Sequence, residues 1–385
     1  MPVARLAPGL NRLLAVLFVL AIALPPLATV AGVGGVGASE ENRELAEWPA
    51  VPHDRMSLAA WPDAFTKAFA DRFAFRAALV RAQAVVRVRV LGASPSTDVI
   101  LGRNGWLFYG IDGSVEDYTA SEPFTDAELE HWCATLQHTH DWLAARGITY
   151  LFVLTPDKYV IYPEEMPSGL QRSGHERRAR QLVEYVRARS DVPILDVTGA
   201  LAPAGGERLF HKTDTHWNDL GAYAAYAAVM PRLESAGTGP ARSRVDFSLR
   251  QVRTPGLDLA RVLGLARVIE EDDLRLEPRG ASPFEVVQPA DARRDLMYDR
   301  VVTERAGAGP RAVVFRDSFG SALIPFLSAH FSRAVYLWQN DVEPAVVTAE
   351  RPDVVIQEWV GRHLYTTTPY DAVGALDESG GRSQQ

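Results

Sequence analysis

The sequence predicts an α/β fold in which helices cover both faces of a parallel sheet. Two apolar runs, ITYLFVLTP (148–156) and VPILDV (192–197), each follow a segment whose apolar residues have helical spacing. Unbroken apolar strands that alternate with helices are typical of a parallel sheet buried on both faces. The run RAVVFRDSFGSALIPFLSAHF (311–331) repeats the pattern as strand, sharp turn and helix. With 385 residues, of which 47% are hydrophobic, the chain can form one large domain or two smaller ones.

The first 37 residues predict a membrane anchor. Arg5 and Arg12 precede an apolar run at 13–37, and acidic residues follow it. This charge order predicts a cytoplasmic N-terminus and an exported, periplasmic body. Residues 36–38 (VGA) would suit removal of a signal peptide, but the run exceeds the apolar core of about 7–15 residues found in such peptides. We therefore favour an uncleaved signal anchor in the inner membrane.

Further elements follow from apolar periodicity and turn residues. Residues 63–92 predict one long amphipathic helix. VILGRNGWLFYG (99–110) predicts a hairpin that turns at Asn104-Gly105. The remaining predicted elements are helices at 125–146, 174–190 and 219–235, and strands at 333–339 and 352–360.

Composition predicts the domain boundaries. The polar, proline-containing residues 38–62 predict a linker between the anchor and a single folded domain at 63–370. Residues 237–300, rich in Arg, Pro and acidic residues, predict an irregular, β-containing insertion in that domain. The Gly-, Ser- and Asp-rich residues 371–385 predict a disordered tail.

Charge and cysteine content exclude several classes of protein. The net charge of −8 argues against a nucleic-acid binder, which needs a basic face. Cys133 is the only cysteine, so the chain can form neither an intrachain disulfide nor a cysteine-based metal cluster. The helical pattern around Cys133 predicts a packed apolar residue rather than a nucleophile. No pattern in the sequence calls for a cofactor.

Ser318 is the candidate nucleophile. It lies in FRDSFG, after an apolar strand and directly before a predicted helix. Open α/β sheets bind ligands at the carboxyl ends of their strands, and the free N–H groups of a helix N-terminus can stabilise an oxyanion. A serine at this position can also simply cap the helix, so the segment alone leaves both interpretations open.

Asp214 and His216, in LFHKTDTHWNDLGAY (209–223), can supply the orienting carboxylate and the base that a serine nucleophile needs. In a second interpretation, Asp214 caps the following helix and His216 is a surface histidine. In a third, His211, Asp214, His216 and Asp219 bind a metal, but their spacing matches no established zinc pattern. We therefore expect no metal.

Several segments together resemble the alginate O-acetyltransferase family (AlgJ/AlgX-like), whose domain is SGNH-hydrolase-like with a flavodoxin-like sheet. FHKTDTHWNDLGAY resembles the block that carries the Asp and His of a Ser-His-Asp triad, and VVFRDSFGSALIPFL resembles the block that carries its serine. Here the Asp-His block comes first, a circularly permuted order that is similar to that of this family. ENRELAEWP (41–49), DRFAFR (71–76) and GRNGWLFYG (102–110) are similar too, so the resemblance runs from about residue 40 to 367.

The resemblance implies that Ser318 is the nucleophile, His216 its general base and Asp214 the acid that orients His216. It implies a periplasmic O-acetyltransferase that acts on hydroxyls of an exopolysaccharide, alginate or similar, through an acetyl-serine intermediate. The implied partners are the polysaccharide acceptor, a membrane-bound O-acyltransferase as acetyl donor and other polysaccharide-export proteins. Two features depart from the SGNH pattern. Arg316 stands where the GDS motif has glycine, and residues 352–364 lack the GxND that supplies an oxyanion donor.

Six further residues are candidates for oxyanion or substrate contacts. Some lie beside the serine turn or at the expected active-site edge of the sheet, and others carry aromatic rings that can stack on a sugar. They are Phe319, Gln357, Tyr109, Lys158, Trp217 and Arg362.

Two other functions fit the same residues. A carbohydrate acetylesterase would use the same triad with water as the acceptor, and the sequence does not separate it from a transferase because only acceptor binding and water exclusion differ. A non-catalytic, glycan-binding scaffold of a polysaccharide-export complex would keep the fold with a degenerate site.

Overall fold

The structure, a computed structural model, describes residues 8–32, 45–202, 206–287 and 300–375. The possible cleavage site at 36–38 and most of the predicted disordered tail lie outside these residues, as does part of the predicted insertion. The chain forms two compact units, Met1–Ser96 with Ala260–Val268 and Thr97–Leu259 with Ile269–Gln385. The second unit therefore begins at residue 97, whereas we expected one domain from residue 63.

The first unit is helical in its described residues. Its N-terminal segments are α1 (Pro8–Val30), α2 (Arg55–Arg72) and α3 (Arg76–Arg89). Within the described residues, α1 is the one helix long and apolar enough to cross a membrane. The predicted linker at 38–62 is shorter than expected, because α2 already begins at Arg55. Asp54 caps this helix, since its carboxylate accepts the Ser57 N–H at 2.7 Å.

The single long helix expected at 63–92 is instead two helices. The chain breaks between α2 and α3 at Phe75, whose φ of 66° lies in the left-handed region. No glycine or proline stands at the break, and a phenylalanine seldom adopts this conformation, so the residues gave no signal for it.

The second unit opens with a β-hairpin, formed by β1 (Val99–Leu101) and β2 (Leu107–Tyr109). Its turn contains Asn104 at φ 52° and Gly105 at φ 79°. Asparagine and glycine tolerate these positive angles better than other residues, which is why this hairpin was readable from the sequence.

The rest of the second unit alternates helices and strands around a central sheet. Its helices are α4 (Ser114–Thr119), α5 (Asp126–Ala144), α6 (Lys158–Ile161), α7 (Arg178–Arg189), α8 (Asp219–Val229), α9 (Asp258–Val262, which continues into the first unit), α10 (Ser318–Ser321), α11 (Ile324–Leu327) and α12 (Pro344–Glu350). Its further strands are β3 (Thr149–Thr155), β4 (Ile194–Asp196), β5 (Phe247–Pro255), β6 (Glu270–Pro278), β7 (Glu285–Val286), β8 (Val301–Glu304), β9 (Arg311–Arg316), β10 (Arg333–Trp338) and β11 (Val354–Val360).

The central sheet has the order β4-β3-β11-β9-β10-β8-β7. The first five strands are parallel, and β8 and β7 add an antiparallel edge. The last strand in the part of the chain that the structure describes, β11, lies between β3 and β9 and pairs with both. The predicted α/β fold with a parallel sheet is confirmed.

Each face of the sheet carries its own apolar layer. Along β3, Leu151 and Val153 belong to the layer that contains α8 and α10, whereas Phe152 and Leu154 belong to the layer that contains α5 and α7. Successive side chains of a strand point to opposite faces, so a strand buried on both faces must be apolar at every position.

The predicted insertion contains an antiparallel hairpin of β5 and β6, nine residues each. It returns toward α8, where the Leu276 N–H donates to the Asp219 carboxylate at 2.9 Å. Asp219 is therefore used to hold the hairpin against the first turn of α8.

The start of α8 fits closely against the preceding segment. Asn218 caps the helix, because its Oδ1 accepts the N–H groups of Leu220 and Gly221. A Cβ atom at Gly221 would lie 2.2 Å from the Leu209 carbonyl oxygen and 2.8 Å from the Trp217 Cβ. Only glycine lets these two backbone segments approach so closely.

We predict that Gly221→Ala destabilises the protein by about 1–3 kcal/mol, because neither the Leu209 backbone nor Trp217 can move aside cheaply. Alanine is intrinsically the better helix former, so helix propensity alone would predict the opposite sign. Denaturant unfolding measures the change, with Gly199→Ala as the control, since a Cβ at Gly199 has no neighbour within 4 Å. Equal midpoints for the two variants would contradict the close approach.

Candidate active site

Asp214 and His216 lie in a tight loop closed by an antiparallel bridge between Phe210 and Trp217. The Nδ1 of His216 is 2.7 Å from the Asp214 Oδ1, and the His216 backbone N–H donates to the same oxygen at 3.0 Å. An ionised carboxylate only accepts, so Nδ1 carries the proton. The other ring nitrogen, Nε2, is then the basic one.

The free nitrogen of His216 lies beside the serine turn. Nε2 is buried and has no hydrogen-bond partner among the described residues. The His216 ring is 5.1 Å from the ring of Phe319, the residue that follows Ser318. Ser318 is half-buried and is the first residue of α10. Folding thus brings together two segments that lie roughly a hundred residues apart in the chain.

A buried lysine holds the carbonyl side of the Asp-His loop. The Nζ of Lys158 donates to the backbone oxygens of His211 at 2.9 Å, Lys212 at 3.2 Å and Asp214 at 2.6 Å. Burial lowers the pKa of Lys158 to about 8, although nearby carboxylates, Asp258 first among them, oppose the shift. The ammonium group thus replaces water for three carbonyls that folding has removed from solvent.

Two carboxylates from the insertion hold the N–H side of the same loop. Asp258 accepts the N–H and the hydroxyl of Thr215, both at 2.9 Å. Glu271 on β6 accepts the N–H of Thr213 at 2.7 Å and its hydroxyl at 2.6 Å. The insertion is therefore a structural part of the site, because it fixes the residues on either side of Asp214.

The serine turn has its own internal support. Asp317 caps α10 through Oδ1, which accepts the Phe319 N–H at 2.9 Å, while its Oδ2 accepts the Val360 N–H at 2.8 Å. Beneath the turn, the Oε2 of Glu358 on β11 accepts the N–H groups of Asp317 at 3.1 Å and Gly320 at 3.2 Å. Ser318 is thus placed by hydrogen bonds on both sides of it.

Glycine is required at position 320 because Glu358 and Arg316 lie so close. A Cβ there would be 2.6 Å from the Arg316 Cβ and 2.9 Å from the Glu358 Oε2. Arg316, which replaces the glycine of the GDS motif, is fully buried and donates to the Ser321 hydroxyl at 2.8 Å. A long side chain at position 316 is therefore compatible with the turn.

The electrostatics of the pair favour a charged Asp214 and a basic His216. Burial raises the pKa of Asp214, but the hydrogen bond and charge of His216 outweigh it and hold that pKa below its usual range. Burial lowers the pKa of His216, but the hydrogen bond and charge of Asp214 outweigh it and raise that pKa above its usual value. The imidazole is therefore a stronger base than a free histidine.

A second buried cation lies near the serine turn. Arg362, in the 3₁₀ turn after β11, donates to the Asp157 carboxylate at 2.5 Å, and its Nε has no partner among the described residues. Its guanidinium carbon is 5.6 Å from the centre of the Phe319 ring and 5.1 Å from that of Tyr109. Burial lowers the pKa of Arg362, but the negative charges of Asp157 and Asp317 outweigh it, so the group stays charged.

Three predicted contact residues lie elsewhere than we expected. Gln357 points to the opposite face of the sheet, where its amide oxygen accepts the Tyr150 hydroxyl and its nitrogen donates to the Asn340 carbonyl. Trp217 is 2% exposed and packs edge-on against Phe319, so its ring has no face free to stack on a sugar. Lys158 is buried beneath the loop and is a positioning residue.

Among the described residues, no three of the four residues considered as metal ligands come together as one ligand set. His211 lies between Glu271 and Asp273, with its Nδ1 3.5 Å and 3.3 Å from their oxygens. Burial lowers the pKa of His211, but the nearby carboxylates of Asp273 and Glu271 raise it to about 9, so the ring is a cation that forms ion pairs with them. Asp258 lies close enough to Asp214 and His216 to form a ligand set, but its carboxylate already holds Thr215.

The residues that sequence reasoning missed are the buried carboxylates Glu358 and Glu271 and the half-buried Asp258. Glu358 did leave a signal, because it interrupts the apolar strand VVIQEWV and a buried carboxylate needs hydrogen-bond partners. Asp258 and Glu271 left none, because acidic residues in a polar insertion are most often on the surface.

We predict that Lys158→Met destabilises the protein by about 2 kcal/mol, because it leaves buried carbonyls of the Asp-His loop without a donor. Thermal or denaturant unfolding measures the effect. Lys212→Met is the matched control, since the Lys212 ammonium makes one hydrogen bond, to the Asn104 carbonyl at 3.3 Å, and is exposed. Unfolding of both variants at the same denaturant concentration would show that Lys158 does not hold the loop.

Comparison with known proteins identifies relatives of the chain. It is 29% identical over 309 residues to the probable alginate O-acetylase AlgJ of Pseudomonas aeruginosa, which covers 74% of this chain and 77% of that protein. It is also 29% identical over 153 residues to the probable alginate O-acetylase AlgJ of Azotobacter vinelandii, a match that covers 38% of this chain. That match spans about a third of the relative, 36% of its length.

A solved structure and a family model extend the comparison. PatB1 of Bacillus cereus has a similar fold, with a TM-score of 0.52 and 17% identity over 69% of this chain and 97% of that one. The model of the family described as "SGNH hydrolase-like domain, acetyltransferase AlgX" matches residues 99–304, more than half of the chain and including Asp214 and His216. The chain therefore belongs to this SGNH hydrolase-like AlgX family, as its motifs predicted.

Proposed function

We propose that this protein is an O-acetyltransferase that uses Ser318, His216 and Asp214 as a catalytic triad. The observation that carries the proposal is the buried Nε2 of His216, which has no partner among the described residues and lies beside the serine turn while Nδ1 is held by Asp214. Family membership supports acetyl transfer as the reaction. The relatives, named as probable alginate O-acetylases, support a polysaccharide as the acceptor.

In the first half-reaction, Nε2 of His216 takes the proton from the Ser318 hydroxyl as Oγ attacks the carbonyl carbon of the acetyl donor. Asp214 stabilises the imidazolium that forms, because its lowered pKa keeps its carboxylate negatively charged. When the tetrahedral intermediate collapses, the bond from the carbonyl carbon to the donor's leaving group breaks. The leaving group takes the proton from His216, and acetyl-Ser318 remains.

The negative oxygen of the intermediate needs donors at the serine turn. The N–H groups of Phe319 and Gly320 already bind Asp317 and Glu358, which leaves the N–H of Ser318 itself as the proposed backbone donor. The buried charge of Arg362 is the proposed electrostatic partner, because it lies close to Phe319 and stays ionised. We do not assign this role to Gln357, whose amide is bound elsewhere.

In the second half-reaction, a sugar hydroxyl donates its proton to His216 and attacks acetyl-Ser318. The new ester leaves, and Ser318 recovers a proton from His216, so protons and acetyl groups balance. Tyr109 is a proposed contact for the sugar, because its half-buried ring lies against Arg362. Water in place of the sugar would make the same site an esterase.

The proposed location is the periplasm, with α1 as an uncleaved anchor in the inner membrane. The length and apolar composition of α1 support this placement. Acetyl-CoA is a cytoplasmic donor, so a membrane-bound O-acyltransferase that passes acetyl groups outward is the proposed source. Other polysaccharide-export proteins are proposed as neighbours of the enzyme.

We predict that an activated acetyl ester leaves an acetyl group on Ser318, detectable by mass spectrometry of the peptide that contains it. Ser318→Ala should abolish the adduct and lower acetyl transfer to the polysaccharide by roughly 10³-fold or more. Ser168→Ala, at an exposed position outside the serine turn, is the control. If Ser318→Ala leaves acetyl transfer unchanged, the enzyme hypothesis is wrong and a glycan-binding scaffold is favoured. If the protein hydrolyses the ester without transfer in excess glycan, an esterase is favoured.

We predict that activity falls as pH drops through the pKa of His216, which lies above the ordinary histidine value, because only neutral His216 accepts the serine proton. Asp214→Asn removes the carboxylate that raises this pKa. The midpoint of the acid limb of kcat/KM should therefore move to lower pH, and the maximal rate should fall roughly 10²–10⁴-fold. An acid limb that stays at the same pH in Asp214→Asn would contradict the pairing.

A further inference from the structure

The segment that contains α3 has an unusual charge pattern for this chain. The protein as a whole carries a net charge of −8, yet residues 73–97 contain no Asp or Glu. The same segment contains four arginines, at positions 76, 81, 87 and 89. A basic segment within an acidic protein indicates a surface that meets negative charge.

One side of α3 exposes a continuous apolar stripe. Phe75, Leu79, Val86 and Val90 are 38%, 50%, 49% and 74% exposed. Their spacing of four, seven and four residues places them on one face of a helix, whereas Ala84 on another face is buried. Single exposed apolar residues are common, but a stripe along a whole helix marks an interaction surface.

Three arginines flank this stripe. Arg76 and Arg87 each follow a stripe residue by one position and Arg89 precedes Val90 by one, about 100° around the helix to either side, whereas Arg81 lies near the opposite face. Apolar residues along one face with arginines beside them are typical of helices that lie in the plane of a membrane surface. The long arginine side chains allow the guanidinium groups to stay at the level of lipid phosphates.

The start of α3 is tied to the end of the proposed membrane anchor. The backbone N–H of Ala74 donates to the hydroxyl of Thr29, in the last turn of α1, at 2.7 Å. If α1 spans the bilayer, its last turn lies where the chain leaves the hydrocarbon. The hydrogen bond therefore holds the first residues of α3 at the same depth, where the helix can lie along the surface.

We propose that α3 lies flat on an anionic membrane surface, with its apolar stripe at the acyl boundary and Arg87 and Arg89 on lipid phosphates. The proposal rests on the proposed anchoring of α1, and it assigns a membrane-binding surface beyond that anchor. A second copy of the chain fits the stripe less well than a membrane does. Pairing two α3 helices would bring their arginines together, and α3 has no acidic residue to offset their charge.

The test uses the full-length protein in nanodiscs that contain phosphatidylcholine with phosphatidylglycerol. Cys133, the only native cysteine, is buried, so a cysteine added at Val86 can carry an environment-sensitive fluorophore. Ala144→Cys, at an exposed position near the end of α5, is the matched control. The emission of the Val86 fluorophore should shift to shorter wavelength, and doxyl-labelled lipid should quench it. Aqueous cobalt should quench the Ala144 control fluorophore but not the Val86 fluorophore.

Charge reversal provides the second arm. Arg87→Glu with Arg89→Glu should reduce lipid quenching of the Val86 probe, and nanodiscs of phosphatidylcholine alone should do the same. Equal access of cobalt to both probes would overturn the proposal. So would a Val86 probe shielded from cobalt and from doxyl lipid alike, since a protein would then cover the stripe. The readout needs no acyl transfer, so its failure would leave the proposed reaction untouched.

Discussion

The site depends on the burial of a loop whose backbone groups cannot reach water. Buried N–H and C=O groups must find partners within the protein, and a tight loop cannot supply them from its own backbone. In the Asp-His loop, Lys158 takes the carbonyl side, while Asp258 and Glu271 take the N–H side. The positive lysine and the two negative carboxylates lie on opposite sides of the loop. Each therefore binds backbone groups of the loop without being left as an unpaired charge in the interior.

The serine turn is also held by side chains that bind its backbone groups, but different residues supply them. Asp317 and Glu358 accept four backbone N–H groups between them, and these bonds fix the path of the chain on both sides of Ser318. Burial raises the pKa of Glu358 well above its usual range, and the negative charge of Asp317 adds to the effect. Because these four N–H groups are already bound, the proposed backbone donor for the oxyanion is the N–H of Ser318 itself.

Sequence reasoning reached the fold because apolar strands and helices rest on local patterns, whereas the triad stays a prediction. Apolar strands between helices are readable by eye, and so is the Asn-Gly turn at residues 104–105. The triad assignment came from family motifs, and the structure places those segments side by side. The tertiary contacts of single side chains could not be predicted from the sequence. We assigned Lys158, Trp217 and Gln357 to substrate contacts, yet each binds or packs against other residues of the protein. The break at Phe75 was missed because strain of this kind leaves no mark in composition.

The position of β11 has a consequence for the order in which the molecule can be completed. It is the last strand of the described residues, yet it lies between β3, on the side of the Asp-His loop, and β9, which leads into the serine turn. It also supplies Glu358 beneath Ser318. A chain that is made from its N-terminus therefore lacks the strand that joins β3 to β9 until residues 354–360 have been added. The segments that carry Asp214 and Ser318 are therefore joined through one sheet only once β11 is in place.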